Sequence, residues 1–231
     1  MSFVLMSQNH EHSWCLFPDY SDDVLSFSNL IEADDGNYIV SMYDYSNYFK
    51  SPKDATIIKL NSDGVIINEI DVNIDDAYIL NEIVLDVWND TVNVFMHCIG
   101  EHRDCVKILH SHLLTDFMMT EFREIWSADF EEPMSANIIS CTPPLIDTNG
   151  IRTISYTYSS WSISGGYPPY YGKVIFLKLD PNCNVIVEKW IDCEEFNYDY
   201  FSTVCYTFNE DSTQYNVMCS LMIIRGIVNM C

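Results

Sequence analysis

The stretch Thr56-Ile57-Ile58-Lys59-Leu60-Asn61-Ser62-Asp63-Gly64-Val65-Ile66-Ile67-Asn68-Glu69-Ile70 decides the fold. Two β-rich runs, 56–60 and 65–70, flank four turn formers. Short apolar runs bounded by Asn, Asp, Ser and Gly read as a hairpin. The same design returns at 173–190, where Leu177-Lys178-Leu179-Asp180 stands in the place of Ile58-Lys59-Leu60-Asn61. Val106-Lys107-Ile108-Leu109 is a weaker copy. The following strand then ends in Glu69-Ile70-Asp71, Glu124-Ile125-Trp126 or Glu188-Lys189-Trp190. Ile70, Trp126 and Trp190 are therefore expected to fill the gaps between neighbouring sheets.

Outward from 56–70, each hairpin is the second half of a longer unit. The first unit has strands at 24–31 and 38–43 around Asp34-Asp35-Gly36-Asn37, where Gly and Asn supply the positive φ of a tight turn. A polar and aromatic loop, 44–54, leads into the hairpin. The second unit has 79–87, the turn Asn89-Asp90-Thr91, 92–99, 105–109 and 117–126. Residues 110–124 have some helical spacing, but their place in the unit favours a hairpin, with His110 and His112 in its turn. The third has 136–146, Asp147-Thr148-Asn149-Gly150, 151–158, a long loop, 173–179 and 184–190. The fourth has 201–208, Asn209-Glu210-Asp211-Ser212, 215–221 and a run that breaks off. First turns recur roughly every 55–62 residues, a spacing suited to a unit of four strands with loops.

The expected class is all-β: a β-propeller, or part of one, of four-stranded antiparallel blades, three full and a partial fourth. The units fall at about 24–76, 77–134, 135–198 and 199–231, after a tail at 1–23 in which 12–17 is a candidate closing strand. The order strand, Lys-strand, turn, strand resembles the propeller-like repeat proteins common in gut Bacteroidetes, over residues 24–221. The resemblance implies an exported protein of six to eight blades. This chain shows neither that number of blades nor an export signal. Its end at Cys231, directly after the apolar run 217–228, leaves two readings open, a truncated chain and a small ring in which 12–17 completes the fourth blade.

The formal charge is −23, from 34 Asp+Glu against 11 Lys+Arg. Phosphate binding needs clustered Lys and Arg, so nucleic acid is excluded as a partner, as is an anionic lipid surface. With 48% apolar residues, the chain can build a core. No apolar run reaches the roughly 18 residues of a membrane span. No signal peptide precedes Gln8, Asn9, His10, Glu11 and His12, so the default location is cytoplasmic. Nine cysteines, an odd number without CxxC, read as reduced core thiols.

In a propeller, the loops after the second and fourth strands share one face. That face collects Tyr45, Tyr48, Trp161, Tyr167 and Tyr170, with Asp76 and Tyr198 from the links between units. Aromatic rings offer flat apolar contact and carboxylates accept hydrogen bonds, a pairing that suits a glycan or a peptide. The expected function is a non-enzymatic binding module with a glycan or protein partner. The alternatives are a carbohydrate-active hydrolase or lyase on the same scaffold, using pairs such as Asp75-Asp76 or Glu194-Glu195, and a truncated repeat protein without independent activity. GxSxG, phosphate-loop and GxGxxG motifs are missing, and Ser164-Gly165-Gly166 does not replace them, so no cofactor is expected. No metal is expected either. His10-Glu11-His12 and His110-Ser111-His112 would share a strand face, but each falls in a tail or turn. Asp180, Asn182 and Asn184 begin like a calcium loop, but Val185 and Ile191 stand where Gly and Glu belong, which leaves a turn.

Overall fold

The computed structural model describes residues 3–6, 13–16, 25–27, 29–33, 35–44, 55–72, 78–100, 105–129, 135–141, 144–161, 171–192, 200–208 and 215–222. Every regular element among them is a β-strand. β1 (Phe3–Met6) and β2 (Ser13–Leu16) pair antiparallel. The first large sheet holds β3 (Leu25–Phe27), β4 (Ile31–Glu32), β5 (Tyr38–Asp44), β6 (Ala55–Leu60) and β7 (Ile66–Val72). The second holds β8 (Tyr78–Trp88), β9 (Thr91–Gly100), β10 (Cys105–Leu113) and β11 (Arg123–Asp129). The third holds β12 (Ser135–Cys141), β13 (Leu145–Ile146), β14 (Arg152–Trp161), β15 (Tyr171–Leu179) and β16 (Val185–Asp192). β17 (Tyr200–Phe208) and β18 (Tyr215–Met222) form a further antiparallel hairpin.

The expected class holds as far as all-β architecture and consecutive four-stranded antiparallel sheets. In the first and third sheets the first strand position is broken in two, β3 with β4 and β12 with β13, so the runs 24–31 and 136–146 are not continuous strands. These two sheets share a register. Tyr38 faces Leu60 as Arg152 faces Leu179, and a bulge follows Lys59 as it follows Lys178.

One turn geometry recurs at 61–65, 147–151 and 180–184. In 61–65, Gly64 N donates to Asn61 O, Asn61 N donates to Val65 O, and Asn61 Oδ1 accepts from the N–H groups of Asp63 and Val65. Asp147 and Asp180 do the same in 147–151 and 180–184. The fourth residue of each turn has positive φ: Gly64 at 77°, Gly150 at 79° and Cys183 at 60°. The left-handed residue lets the chain reverse within the turn, and the register shift comes later in the strand, where Ile67 on β7 and Ile186 on β16 are the extra residues. Asp180 is thus a turn residue whose carboxylate is engaged by backbone N–H groups, as the sequence suggests. Asn89 and Asp90, at φ 49° and 61°, form the two-residue turn between β8 and β9.

The second sheet departs from expectation at its second hairpin. Leu114-Thr115-Asp116-Phe117 is the turn, closed by Phe117 N donating to Leu114 O, with Phe117 at φ 61°. The last strand therefore begins at Arg123 and not at Phe117. His110 and His112 lie inside β10, not in the turn. The Phe117 ring is buried.

The chain divides into two compact units, Met1–Met96 with Leu109–Arg123, and His97–Ile108 with Glu124–Cys231. In the first unit, Val40, Met42, Ile58 and Leu60 form a core onto which Phe27, Leu30 and Tyr38 pack. β8 lies against β4 and β5. Asn29, in the break between β3 and β4, clasps it: its amide donates to Leu85 O at 2.7 Å and accepts from Leu85 N at 2.9 Å. A side-chain amide so placed does the work of a neighbouring strand. In the second unit, Ile154, Tyr156, Val174, Ile175, Leu177 and Leu179 are buried, and β17 packs on β12, β14 and β15. The guanidinium of Arg152 is buried there, donating to Gly150 O at 3.4 Å and Pro181 O at 3.3 Å, one carbonyl from each of two turns. No helix among the described residues is long and apolar enough to cross a membrane.

Candidate functional site: an indole pair around a carboxylate

Strand alternation puts residues i and i+2 on one face. On β16 this joins Glu188 to Trp190, and on β11 it joins Glu124 to Trp126. In the second unit these side chains meet. Trp126 Nε1 donates to Glu188 Oε2 at 3.0 Å, and Trp190 Nε1 donates to Glu188 Oε1. The two indole centroids are 6.1 Å apart at an interplanar angle of 44°. Trp126 is 7% exposed and stacks edge-on to Tyr156 at 5.5 Å, whose ring meets His97 at 5.4 Å. Trp190 is 36% exposed. Burial between sheets was expected for both tryptophans and holds for Trp126 alone. Both β11 and β16 end their sheets, and Trp126 is set apart by its ring contacts with both Tyr156 and Trp190.

The cluster thus grades from a dry floor to an open rim. His97 is fully buried, and loss of hydration pushes its pKa down to about 4, so the floor is neutral at pH 7. Glu188 uses one oxygen per indole, and a carboxylate has about four lone-pair sites, so acceptor capacity remains. Beside it, Lys107 Nζ donates to Glu124 Oε2 at 2.7 Å. That hydrogen bond, then one from Ser127, holds the Glu124 carboxyl below its ordinary value. An exposed indole next to a fixed carboxylate can stack on an apolar ring face while accepting from its hydroxyls.

A second polar group belongs to the first unit and is buried. Asn93 Nδ2 donates to Asp86 Oδ1 at 2.6 Å, and Asn93 Oδ1 lies 3.1 Å from His110 Nε2. Since the Asn93 amide nitrogen serves Asp86, its oxygen accepts, and His110 carries its proton on Nε2. His110 and His112 share a strand face with rings perpendicular at 4.5 Å. Among the described residues, no group of three or more His, Cys, Asp or Glu is placed to hold a metal ion. The Asp86–Asn93–His110 chain has the geometry of a core polar network.

Of the residues singled out from the sequence, Trp161 is the last residue of β14, paired with Ser135, and not a loop residue. Tyr45, Tyr48, Asp76, Tyr167, Tyr170 and Tyr198 lie outside the described residues, as do His10 and His12. Sequence reasoning missed Glu188 and assigned Trp190 to packing. The available signal was the Glu-x-Trp spacing at 188–190 and 124–126, which in a strand aligns carboxylate and indole.

No protein-family model matches the chain, and no curated protein sequence matches it. Among solved structures, the Penicillium chrysogenum alpha-L-arabinanase complexed with arabinobiose is similar over 74% of this chain and 68% of that one, at 10% sequence identity and a TM-score of 0.39. At that identity and score the likeness says nothing of this chain's substrate or activity.

Proposed function

We propose that this chain is a non-catalytic binding module, a partial propeller of four-stranded blades, that holds a glycan against an aromatic and acidic surface. The observation supporting this reading is the Trp126–Glu188–Trp190 cluster. It pairs a partly exposed indole with a carboxylate anchored by two N–H donors. Such an acceptor is oriented before a ligand arrives, which lowers the ordering cost of binding.

The test is a glycan array followed by calorimetry on the full chain. Trp190→Ala and Glu188→Gln should each weaken a captured glycan by about tenfold or more, the scale of one lost stacking or charged contact. Trp161→Ala, made in parallel, tests the surface expected from the sequence for Trp161 with Tyr45, Tyr48, Asp76, Tyr167, Tyr170 and Tyr198. Undiminished binding by Trp190→Ala would remove the indole pair from the proposal. Cleaved glycan products would favour the hydrolase or lyase alternative.

A further inference from the structure

We propose that the Trp126–Glu188–Trp190 cluster selects an amino sugar, a glycan unit whose protonated amine sits against the Trp190 ring and the Glu188 carboxylate. The inference rests on the glycan reading and names its chemical class.

The charge of the surface comes first. Both Glu188 oxygens accept an N–H bond, one from each indole. These partners are neutral, so they orient the carboxylate without cancelling its charge. Glu188 is exposed, and each oxygen keeps a lone-pair site for a ligand donor. The cations on the neighbouring strands are directed elsewhere. Lys107 Nζ lies 2.7 Å from Glu124 Oε2. Arg123 and Lys189 precede Glu124 and Trp190 by one residue, so strand alternation turns them to the opposite faces. Lys178, across from Val187, takes that other face as well. The surface that Glu188 presents is therefore anionic.

The indole supplies the second contact. Trp190 is 36% exposed, and its face attracts a cation held within about 6 Å of the ring centre. Glu188 and Trp190 share one strand face and are hydrogen-bonded, so a single ammonium can meet ring and carboxylate together. A protonated amine brings one positive charge and several N–H donors, whereas a hydroxyl or an N-acetyl amide brings a neutral donor. A uronate brings a negative charge that Glu188 repels. The first sheet supplies a control. Its register puts Glu69 and Asp71 where β16 has Glu188 and Trp190, so an equivalent carboxylate stands there with an aspartate in the place of the indole.

The experiment is calorimetry on the full chain with hexasaccharides of glucosamine, N-acetylglucosamine, glucose and glucuronic acid. At pH about 6 the glucosamine form should bind about fivefold tighter than the N-acetylated form, the combined scale of an exposed cation–π contact and an exposed ion pair. The glucuronic acid form should bind most weakly. At pH about 9.5, where an amine of this kind has lost its proton, the preference should vanish. Glu188→Gln and Trp190→Ala should each remove most of the preference, whereas Glu69→Gln should leave it intact. Circular dichroism checks that the variants fold; if one does not, the other carries the test, and Glu188→Asp replaces both if neither folds. Equal binding of the glucosamine, N-acetylglucosamine and glucose forms would overturn the amino-sugar assignment and leave the glycan reading standing. A preference that Glu69→Gln lowers as much as Glu188→Gln would reduce it to attraction of a polycation by a chain of charge −23 and overturn the site. Capture of no glycan, here or on the array, would overturn both.

Discussion

His97 couples stability to pH in a way that can be isolated. Its imidazole is fully buried, and burial lowers its pKa from 6.5 to about 4. In the unfolded chain it titrates near its ordinary value. Between those two pH values the unfolded state binds a proton that the folded state does not, so acidification favours unfolding. The stabilisation is fully present above about pH 6.5, is lost as pH falls towards about 4, and does not decrease further below that. A difference of roughly 2.5 units at 1.36 kcal/mol each gives about 3 kcal/mol. The perturbation is His97→Gln, which keeps a polar side chain and removes the titration. The assay is urea unfolding of both proteins from pH about 4 to 7.5. Wild type should lose about 3 kcal/mol more than the variant across that window. Asp35 and Glu124, whose carboxyls are held low chiefly by hydrogen bonds from Lys59 and Lys107, are present in both proteins and cancel. Should the variant fail to fold, histidine hydrogen exchange on wild type reads the same pKa. Parallel stability curves, or titration of native His97 near 6.5, would refute the reasoning.

Trp126→Ala should cost about 3–5 kcal/mol by chemical denaturation, the range for a buried aromatic, and Trp190→Ala only about 1 kcal/mol. Equal losses would mean that the exposure difference between the two indoles is wrong. Gly36 has φ 74° and open space around the position a Cβ would take, so Gly36→Ala tests backbone strain alone and should cost about 1–2 kcal/mol. A thermal melt showing no loss would exclude the left-handed turn. Cys98 is buried, with its thiol pushed up to about 12 by burial, whereas Cys105 is half-buried. Native alkylation near pH 8 should therefore label Cys105 first and Cys98 only on unfolding, as read by mass spectrometry.

The turns show where sequence was enough. Asn61, Asp147 and Asp180 cap their own turns through local hydrogen bonds, and Gly64 and Gly150 take positive φ. These interactions span four residues or fewer, so the residue types alone locate the hairpins and with them the strands. Phe117 fails this test. Its turn closes through the same backbone hydrogen bonds, but Leu114 has no side-chain acceptor and a phenylalanine takes the left-handed position, so the residue types do not mark the turn.

The candidate site divides along the same line. The Glu-x-Trp spacing at 124–126 and 188–190, read on strands, already aligns each carboxylate with its indole. The pairing of Glu188 with Trp126 joins residues 62 positions apart, and no local pattern encodes it. Trp126 and Trp190 occupy equivalent places in their units and read alike, yet one is buried and the other forms a rim. Local chemistry sets turns and strand faces because its partners are chain neighbours. Exposure and the sharing of one carboxylate between two indoles depend on which strand packs beside which, and only tertiary structure decides that.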